Sequence, residues 1–284
     1  MSADEGSDEP EADLPEEDLL EHLEGSVLTI TLNRPDKGNA ITGDQRVRMR
    51  EMFESASADL RVRAIVLAAT GKHFCTGADL RAQPAATVER PAGAPERAVG
   101  DIARNIKNNA QRLITAMLDC EKPIVCAVNG TAAGMGAHMV FASDLILAAD
   151  TAKFIEVFTR RGIIPDAGGA YLLPRIIGLP KAKELMFFAD DLSAIDAERL
   201  GLVNKVVPAE DLAKEATAWA ERLAAGPTKA IGITKWLLNR SLDSDRNGAL
   251  DDEALGQEII NRTEDAAEGV AAFVERRDVQ FKGW

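Results

Sequence analysis

Three residues in the middle of the chain, Gly134, Met135 and Gly136, form a pattern that can bind a negatively charged oxygen. Glycines let the backbone approach a ligand closely. The small and apolar residues 137–142 predict a helix. The N–H of Met135 would then lie at a helix N-terminus, where donors are free and the dipole favours negative charge. A glycine-rich turn that only caps the helix is the alternative, because short glycine motifs recur widely.

Asp166, between Pro165 and Ala167, is a carboxylate that could carry a proton between two atoms of a substrate. A glycine pair and apolar residues follow it and predict a helix from about residue 168. Asp is also a favoured N-cap residue. The local sequence leaves both roles open.

Two further side chains could move protons. His138 lies in the predicted helix 137–142, and an imidazole can carry a proton at neutral pH. A satisfied histidine in the wall of a site is the alternative. Glu156 shares a face of the predicted strand 154–158 with Phe158, since strand side chains alternate. It is a second candidate carboxylate, although a solvated or salt-bridged role is the simpler interpretation.

The elements that would position these residues follow from the apolar pattern. Residues 27–32 alternate and 123–128 are continuously apolar, and both predict strands. Strands and helices alternate until about residue 180, after which the chain is predicted to be helical. This order indicates an α/β fold with a helical appendage. Residues 81–100 contain three prolines and predict a long, mobile loop.

The charge is concentrated at one end of the chain. The 284 residues carry a formal net charge of −13, and residues 1–24 contain eleven Asp and Glu residues with no Lys or Arg. We therefore expect an acidic, disordered tail over residues 1–22. The remainder is near neutral and has no basic stripe, so nucleic acid is not an expected partner.

Cysteine usage and hydropathy indicate the compartment. The chain has three cysteines, no CxxC motif and apolar residues around Cys75 and Cys126, which predicts buried free thiols in a reducing environment. The acidic N-terminal residues differ from a signal or transit peptide. No run of about 18 apolar residues occurs, so no membrane association is expected. These features predict a cytoplasmic protein.

Six stretches carry a resemblance to a known family, and it covers about residues 25–284. They are LNRP (32–35) with NA (39–40), HFCTGADL (73–80), KPIVCAVNGTAAGMG (122–136), IPDAGG (164–169), AERLGLVN (197–204) and FVERR (273–277). In this order and spacing the chain resembles the crotonase (enoyl-CoA hydratase/isomerase) superfamily.

The resemblance implies a fold and an assembly. The expected fold is a crotonase-type α/β spiral of ββα units over residues 23–205, followed by a helical trimerisation region over 206–284. A homotrimer or a dimer of trimers is implied. The implied partner is an acyl-CoA thioester, so coenzyme A enters as part of the substrate. We expect no other cofactor and no metal, because the chain has no P-loop, no dinucleotide-binding GxGxxG motif and only three scattered histidines.

The family's shared chemistry is stabilisation of a thioester enolate by two backbone N–H groups. The matching positions are Ala78, after Gly77, and Met135. His73 could contact CoA, with a surface role as the alternative. Phe281 and Lys282 could also contact CoA, and a frayed C-terminus is the alternative. The full set of expected substrate- and CoA-binding residues is His73, Gly77, Asp79, Gly134, Phe158, Phe281 and Lys282.

The sequence departs from the family's hydratases at two positions. Their two glutamates would fall at His138 and Phe158, and a phenyl ring cannot transfer a proton. Asp166 stands where such hydratases carry Gly, and it is similar to the Asp of dienoyl-CoA and epoxyphenylacetyl-CoA isomerases. The resemblance therefore implies an enoyl-CoA double-bond isomerase with a catalytic Asp166. A hydratase or hydrolase that uses His138 or Glu156, and a catalytically silent acyl-CoA-binding protein, are the alternatives.

Overall fold

The computed structural model describes residues 17–81, 90–95 and 98–284. Residues 82–89 and 96–97 of the predicted loop 81–100 lie outside these residues. Within them, the strands are β1 (Leu19–Glu24), β2 (Val27–Leu32), β3 (Ala64–Ala69), β4 (His73–Cys75), β5 (Ile124–Val128), β6 (Thr131–Ala133), β7 (Leu145–Ala149), β8 (Lys153–Ile155), β9 (Leu192–Ser193) and β10 (Lys205–Val207). The α-helices are α1 (Gly43–Ala58), α2 (Asp101–Asn108), α3 (Ala110–Asp119), α4 (Met135–Phe141), α5 (Gly169–Ile177), α6 (Leu179–Phe188), α7 (Ala194–Arg199), α8 (Leu212–Ala224), α9 (Thr228–Ser241), α10 (Arg246–Ile260) and α11 (Glu264–Glu275).

The strands form two sheets, and from β3 to β8 successive strands along the chain alternate between them. The larger sheet has the order β1-β2-β3-β5-β7-β10, and the smaller has the order β4-β6-β8-β9. All pairings are parallel except the β1–β2 hairpin and the β8–β9 pair. Strands β3, β5 and β7 lie in the larger sheet, and each is followed along the chain by a strand of the smaller sheet, β4, β6 or β8. One or more helices follow each of these three strand pairs. This confirms the predicted spiral of ββα units.

The N-terminal part of the fold corrects the predicted tail. Residues 1–16 lie outside the described residues, but β1 begins at Leu19, inside the expected disordered segment 1–22. Leu19 is 1% exposed, and all six residues of β1 pair antiparallel with β2. The acidic composition concealed this strand, because an edge strand needs few buried side chains when its backbone is paired.

The expected boundary between core and appendage is also misplaced. The division at 205/206 falls inside β10, which pairs with β7 in the larger sheet. Helix α8 then buries one face in the main core through Leu212, Ala216, Ala220 and Ala224. These residues recur every four positions, so they form one helical stripe. The core therefore extends to about residue 224.

A partly buried ion pair connects helix α9 to the core. Lys235 Nζ lies 2.8 Å from the Asp144 carboxylate and 2.9 Å from the Met117 carbonyl oxygen. Asp144 also accepts a hydrogen bond from the Ile124 N–H at 2.7 Å. Burial raises the pKa of the Asp144 carboxyl, and the Lys235 ammonium opposes that rise. The pair fixes the start of the helical C-terminal region against β5.

The three cysteines are free and buried, as predicted. Burial raises the pKa of Cys75 to about 12, so its thiol stays protonated and unreactive at neutral pH. Among the described residues, no helix is both long and apolar enough to cross a membrane.

Candidate functional site

The segments after β4 and β6 bring two backbone N–H groups together. Gly77 has φ +108°, and a Cβ atom placed there would lie 3.9 Å from the Met135 nitrogen. Ala78 is held beside Ile41 by hydrogen bonds from Ile41 N–H to the Gly77 oxygen and from Asp79 N–H to the Ile41 oxygen, both 2.9 Å. Within the described part of the chain, neither the Ala78 N–H nor the Met135 N–H has a backbone acceptor. Two free donors therefore lie on adjoining segments.

Gly136 sets the distance between these segments. A Cβ atom at Gly136 would lie 2.2 Å from the Cys75 oxygen, so only glycine allows α4 to begin directly against the end of β4. Gly134 precedes the helix with φ 53° and ψ −121°, a conformation that only glycine adopts without strain. The sequence prediction of a glycine-bounded helix start at Met135 is confirmed.

His138 lies one turn into α4 and is 0% exposed. Its Nε2 atom lies 3.2 Å from the carboxylate of Glu156, which is 3% exposed. The sequence indicated a solvated or salt-bridged Glu156, and the structure shows a buried side chain that contacts His138. A buried polar side chain needs a hydrogen-bond partner, and His138 provides one for Glu156.

Other groups enclose the His138–Glu156 pair. Phe158 stacks on the His138 ring at a centroid distance of 5.1 Å and an angle of 18°. A Cβ atom at Gly169 would lie 2.0 Å from His138 Nε2, so the first residue of α5 packs directly on the imidazole. His138 Nδ1 and Glu156 Oε1 are buried without a hydrogen-bond partner among the described residues.

Asp166 lies in the segment before α5, and it does not cap that helix. The N-cap is Gly168, with φ 86° and no side-chain hydrogen bond. The Asp166 backbone oxygen accepts a hydrogen bond from Gln111 Nε2 at 3.1 Å. Its side chain is partly exposed and takes part in no hydrogen bond or ion pair with the described residues. The N-cap alternative is therefore wrong, and the carboxylate is free for another role.

Comparison with known proteins identifies the family. The sequence profile described as enoyl-CoA hydratase/isomerase matches residues 22–284. The chain belongs to this family. It is 35% identical over 265 residues to a 1,2-epoxyphenylacetyl-CoA isomerase of Escherichia coli (strain K12), an alignment that covers 93% of this chain and 98% of the relative. It is 32% identical over 266 residues to a crotonyl-CoA hydratase of Syntrophomonas wolfei, with 93% and 98% coverage.

A solved structure agrees with the assignment. The structure of a putative enoyl-CoA hydratase from Streptomyces coelicolor A3(2) superposes with a TM-score of 0.85 at 33% sequence identity, and the match covers 100% of both chains. The crotonase fold predicted from the sequence is thus confirmed. Relatives include proteins named isomerase and proteins named hydratase, so the family name covers two reactions.

Other residues expected to contact CoA are distributed around this enoyl-CoA hydratase/isomerase family site. His73 lies in β4, and its backbone oxygen accepts a hydrogen bond from Asn39 Nδ2 at 2.7 Å. Asp79 pairs with Arg34 at 3.0 Å, beside the free N–H of Ala78. This ion pair holds the Asp79 side chain next to the segment that contains Ala78.

The structure places Phe281 and Lys282 elsewhere in the chain. The Asp265 carboxylate accepts hydrogen bonds from the backbone N–H groups of Lys282, at 2.6 Å, and Gly283, at 2.8 Å. The alternative of a frayed C-terminus is therefore wrong. Arg63 Nη1 donates to the Phe281 oxygen at 3.3 Å, and Arg63 immediately precedes β3. Within one chain the C-terminal segment thus lies at the amino end of β3, whereas the segments with Ala78 and Met135 follow the carboxyl ends of strands.

Sequence analysis missed Arg46, on α1. Its Nη1 atom lies 3.9 Å from Met135 Sδ, which places the guanidinium beside the start of α4. Burial lowers the pKa of Arg46, and the negative charge of Asp166 opposes that shift. The spacing in the sequence could have indicated this position. Arg46 is three residues from both Gly43 and Met49, so on a helix all three lie on the same face, and in the structure this is the inward face of α1.

Among the described residues, no group of three or more His, Cys, Asp or Glu side chains could hold a metal ion.

Proposed function

We propose that the protein is an acyl-CoA isomerase that moves a carbon–carbon double bond of an enoyl thioester. The observation that carries the proposal is the free Asp166 carboxylate, which neither caps α5 nor pairs with another described side chain. The similarity to a protein named 1,2-epoxyphenylacetyl-CoA isomerase supports an isomerase that acts on a CoA thioester. Coenzyme A enters as part of the substrate, and no further cofactor is needed.

The proposed mechanism has two proton transfers. The Asp166 carboxylate removes a proton from the α- or γ-carbon of the thioester, and the electron pair of the broken C–H bond moves into a dienolate. The Ala78 and Met135 N–H groups donate hydrogen bonds to the thioester oxygen, where the negative charge accumulates. The Asp166 carboxyl then gives a proton to the other carbon, and because this side chain is partly exposed, the proton can first exchange with solvent. Atoms and charge balance without an added reactant.

Water addition by His138 and Glu156 is the second candidate. It is favoured by the unpartnered His138 Nδ1 and by relatives named as hydratases. Two features count against it. His138 is 0% exposed, so a water molecule has no open path to it in this structure, and the second glutamate position holds Phe158. A catalytically silent acyl-CoA-binding protein remains the third reading, because it would need the backbone donors but no base.

A panel of CoA thioesters separates the isomerase from a hydratase or hydrolase and from a silent acyl-CoA-binding protein. We expect acetoacetyl-CoA to bind in a calorimetric titration, and we expect 3-enoyl and dienoyl thioesters to isomerise with little hydroxyacyl product. Products are followed by NMR and mass spectrometry in deuterated water. A hydroxyacyl product as the main outcome would support the hydratase, free CoA would support a hydrolase, and binding without turnover would support the silent protein. Absence of binding at millimolar ligand would contradict the whole proposal.

We also propose that the protein assembles as a homotrimer or a dimer of trimers through its C-terminal helices. Exposed apolar side chains are common on these helices, and such surfaces mark contacts between subunits. Light scattering at micromolar concentration should give three or six times the 30.5 kDa chain mass. A monomeric mass would contradict this assembly. The exposed apolar residues of α9–α11 are Trp236, Leu238, Leu250, Leu255, Ile259, Val270, Phe273 and Val274.

A cytoplasmic location is the corresponding proposal for the compartment. It is supported by the three buried free cysteines, which suit a reducing environment.

A further inference from the structure

The segment 76–79, which carries one of the two free N–H groups, is held by a single neighbouring segment. The Ile41 N–H donates to the Gly77 oxygen, and the Asp79 N–H donates to the Ile41 oxygen, both at 2.9 Å. Among the described residues, every hydrogen bond between the backbone of 76–79 and other backbone groups is made with residues 38–41. The position of the free N–H therefore depends on what fixes this second segment.

Arg34 joins the two segments. Its Nη1 atom donates to the Ala40 oxygen at 2.8 Å, and its Nη2 atom lies 3.0 Å from the Asp79 carboxylate. Ala40 directly precedes Ile41, and Asp79 directly follows Ala78. The planar guanidinium presents its donors in a fixed fork, so the two contacts restrain the distance between the segments more strictly than a flexible ammonium could.

The Arg34–Asp79 pair is better protected from water than a comparable pair on α1. The side chains of Arg34 and Asp79 are 21% and 11% exposed, whereas those of Arg48 and Asp18, which pair at 2.6 Å, are 46% and 34% exposed. Ion pairs that are partly removed from solvent are screened less than exposed ones. The Arg34 contact is therefore the stronger restraint of the two.

Asn39 anchors the backbone from which Arg34 extends. The Arg34 N–H donates to Asn39 Oδ1 at 2.8 Å, and Asn39 Nδ2 donates to the Thr70 oxygen at 2.9 Å and the His73 oxygen at 2.7 Å. Asn39 is 2% exposed and has φ 53°. A residue other than glycine keeps this conformation only where its surroundings fix it. Arg34 thus extends from a turn that is bound to the connection between β3 and β4.

We infer that Arg34 is a positioning residue for the Ala78 N–H and that turnover depends on its two contacts. The inference rests on the proposed function, in which the Ala78 N–H donates to the thioester oxygen. Such a donor stabilises the developing charge only if it already points at that oxygen before the reaction. Arg34 acts through Ala40 and Asp79, and not by contact with the substrate.

The Arg34→Met variant of the full-length protein tests this role, because methionine keeps much of the side-chain stem and cannot donate. We expect deuterium exchange into a saturating enoyl-CoA, counted per folded molecule, to slow about tenfold, since removal of a whole donor costs more than its displacement. Free CoA should bind as it does to the wild type in a calorimetric titration. Acetoacetyl-CoA should bind more weakly, because its enolate oxygen needs the same donor.

Two further variants make the result specific. Arg34→Lys keeps a cation that can reach one of the two acceptors, so it should recover part of the lost rate. Arg48→Met is the matched control, because it makes the same change and also breaks an Arg–Asp pair, but one outside residues 38–41 and 76–79. It should exchange at the wild-type rate per folded molecule, with the folded fraction taken from urea denaturation.

Equal exchange rates per folded molecule in Arg34→Met and Arg48→Met would overturn the positioning role. Weaker binding of free CoA to Arg34→Met, with an unchanged rate at saturating substrate, would also overturn it and would make Arg34 a CoA ligand.

The wild type separates this inference from the proposed function. If the wild type exchanges no carbon-bound proton, the isomerase fails, but its tighter binding of acetoacetyl-CoA than of free CoA still reports the Ala78 donor. Loss of that difference in Arg34→Met would then support the positioning role, and its survival there would overturn the role. If the wild type binds both ligands equally and exchanges nothing, the proposed function and the inference both fail.

Discussion

The Asp166→Asn variant is expected to lose proton transfer by about 10²-fold or more while it still binds acyl-CoA. Asparagine has nearly the same size as aspartate, but its amide cannot act as a general base. The Asp166 side chain makes no hydrogen bond or ion pair with the described residues, so its replacement should leave the fold and the thermal stability almost unchanged. The measurement is solvent deuterium exchange at the α- and γ-carbons of an enoyl-CoA, followed by NMR.

Two further variants make this result specific. Asp251→Asn changes an exposed aspartate of α10 and should exchange at the wild-type rate. Glu156→Gln keeps a hydrogen-bonding side chain beside His138 and should also leave exchange largely intact, because the pair is enclosed by Phe158 and Gly169. Undiminished exchange in Asp166→Asn, together with its loss in Glu156→Gln, would move the chemistry to the His138–Glu156 pair and would revive the hydratase or hydrolase.

The Gly136→Ala variant is expected to show a large loss of stability. Its Cβ atom would lie 2.2 Å from the Cys75 oxygen and 2.7 Å from the Cys75 Cβ, and backbone cannot swing aside as a flexible side chain can. Overpacking of this kind costs about 3 kcal/mol at the upper end of its usual range. Relief of the contact requires α4 to shift, which moves the Met135 N–H and should lower turnover by about 10²-fold.

Urea denaturation and steady-state turnover measure the two effects, and Gly248→Ala is the control. Gly248 lies in the first turn of α10, where a Cβ would meet Asp245 Oδ1 at an ordinary 3.4 Å. Alanine should be neutral there or stabilise the helix by up to about 1 kcal/mol. If Gly136→Ala unfolds at the same urea concentration as Gly248→Ala, the close packing of α4 on β4 is not what holds the two N–H groups together.

The local elements of the site could be predicted from the sequence because they depend on short-range rules. A glycine pair around Met135 and a following run of small residues indicate a helix N-terminus, and α4 begins at Met135 as expected. The strands before it follow from their apolar pattern. Strand β1 was missed because its segment is acidic and shows no apolar alternation; it is held by pairing of all six residues with β2 and by the single buried side chain of Leu19.

The partners of the charged side chains could not be predicted in this way. Asp166 satisfies the sequence preference of an N-cap, yet the left-handed conformation of Gly168 moves the start of α5 two residues further on. His138 and Glu156 meet only because α4 packs against the segment that follows β8. In each case the deciding contact joins residues on different elements, and local spacing carries no information about it.

The sequence by itself therefore determined the family resemblance, the ββα order and the positions of the backbone donors, because motif, periodicity and glycine conformation are properties of neighbouring residues. Tertiary structure alone decided that the Asp166 side chain has no partner among the described residues and that His138 is enclosed by Phe158 and Gly169. The physical reason is that burial and electrostatic pairing depend on distances across the packed core. Those distances are set where α1, α4 and the segment before α5 converge.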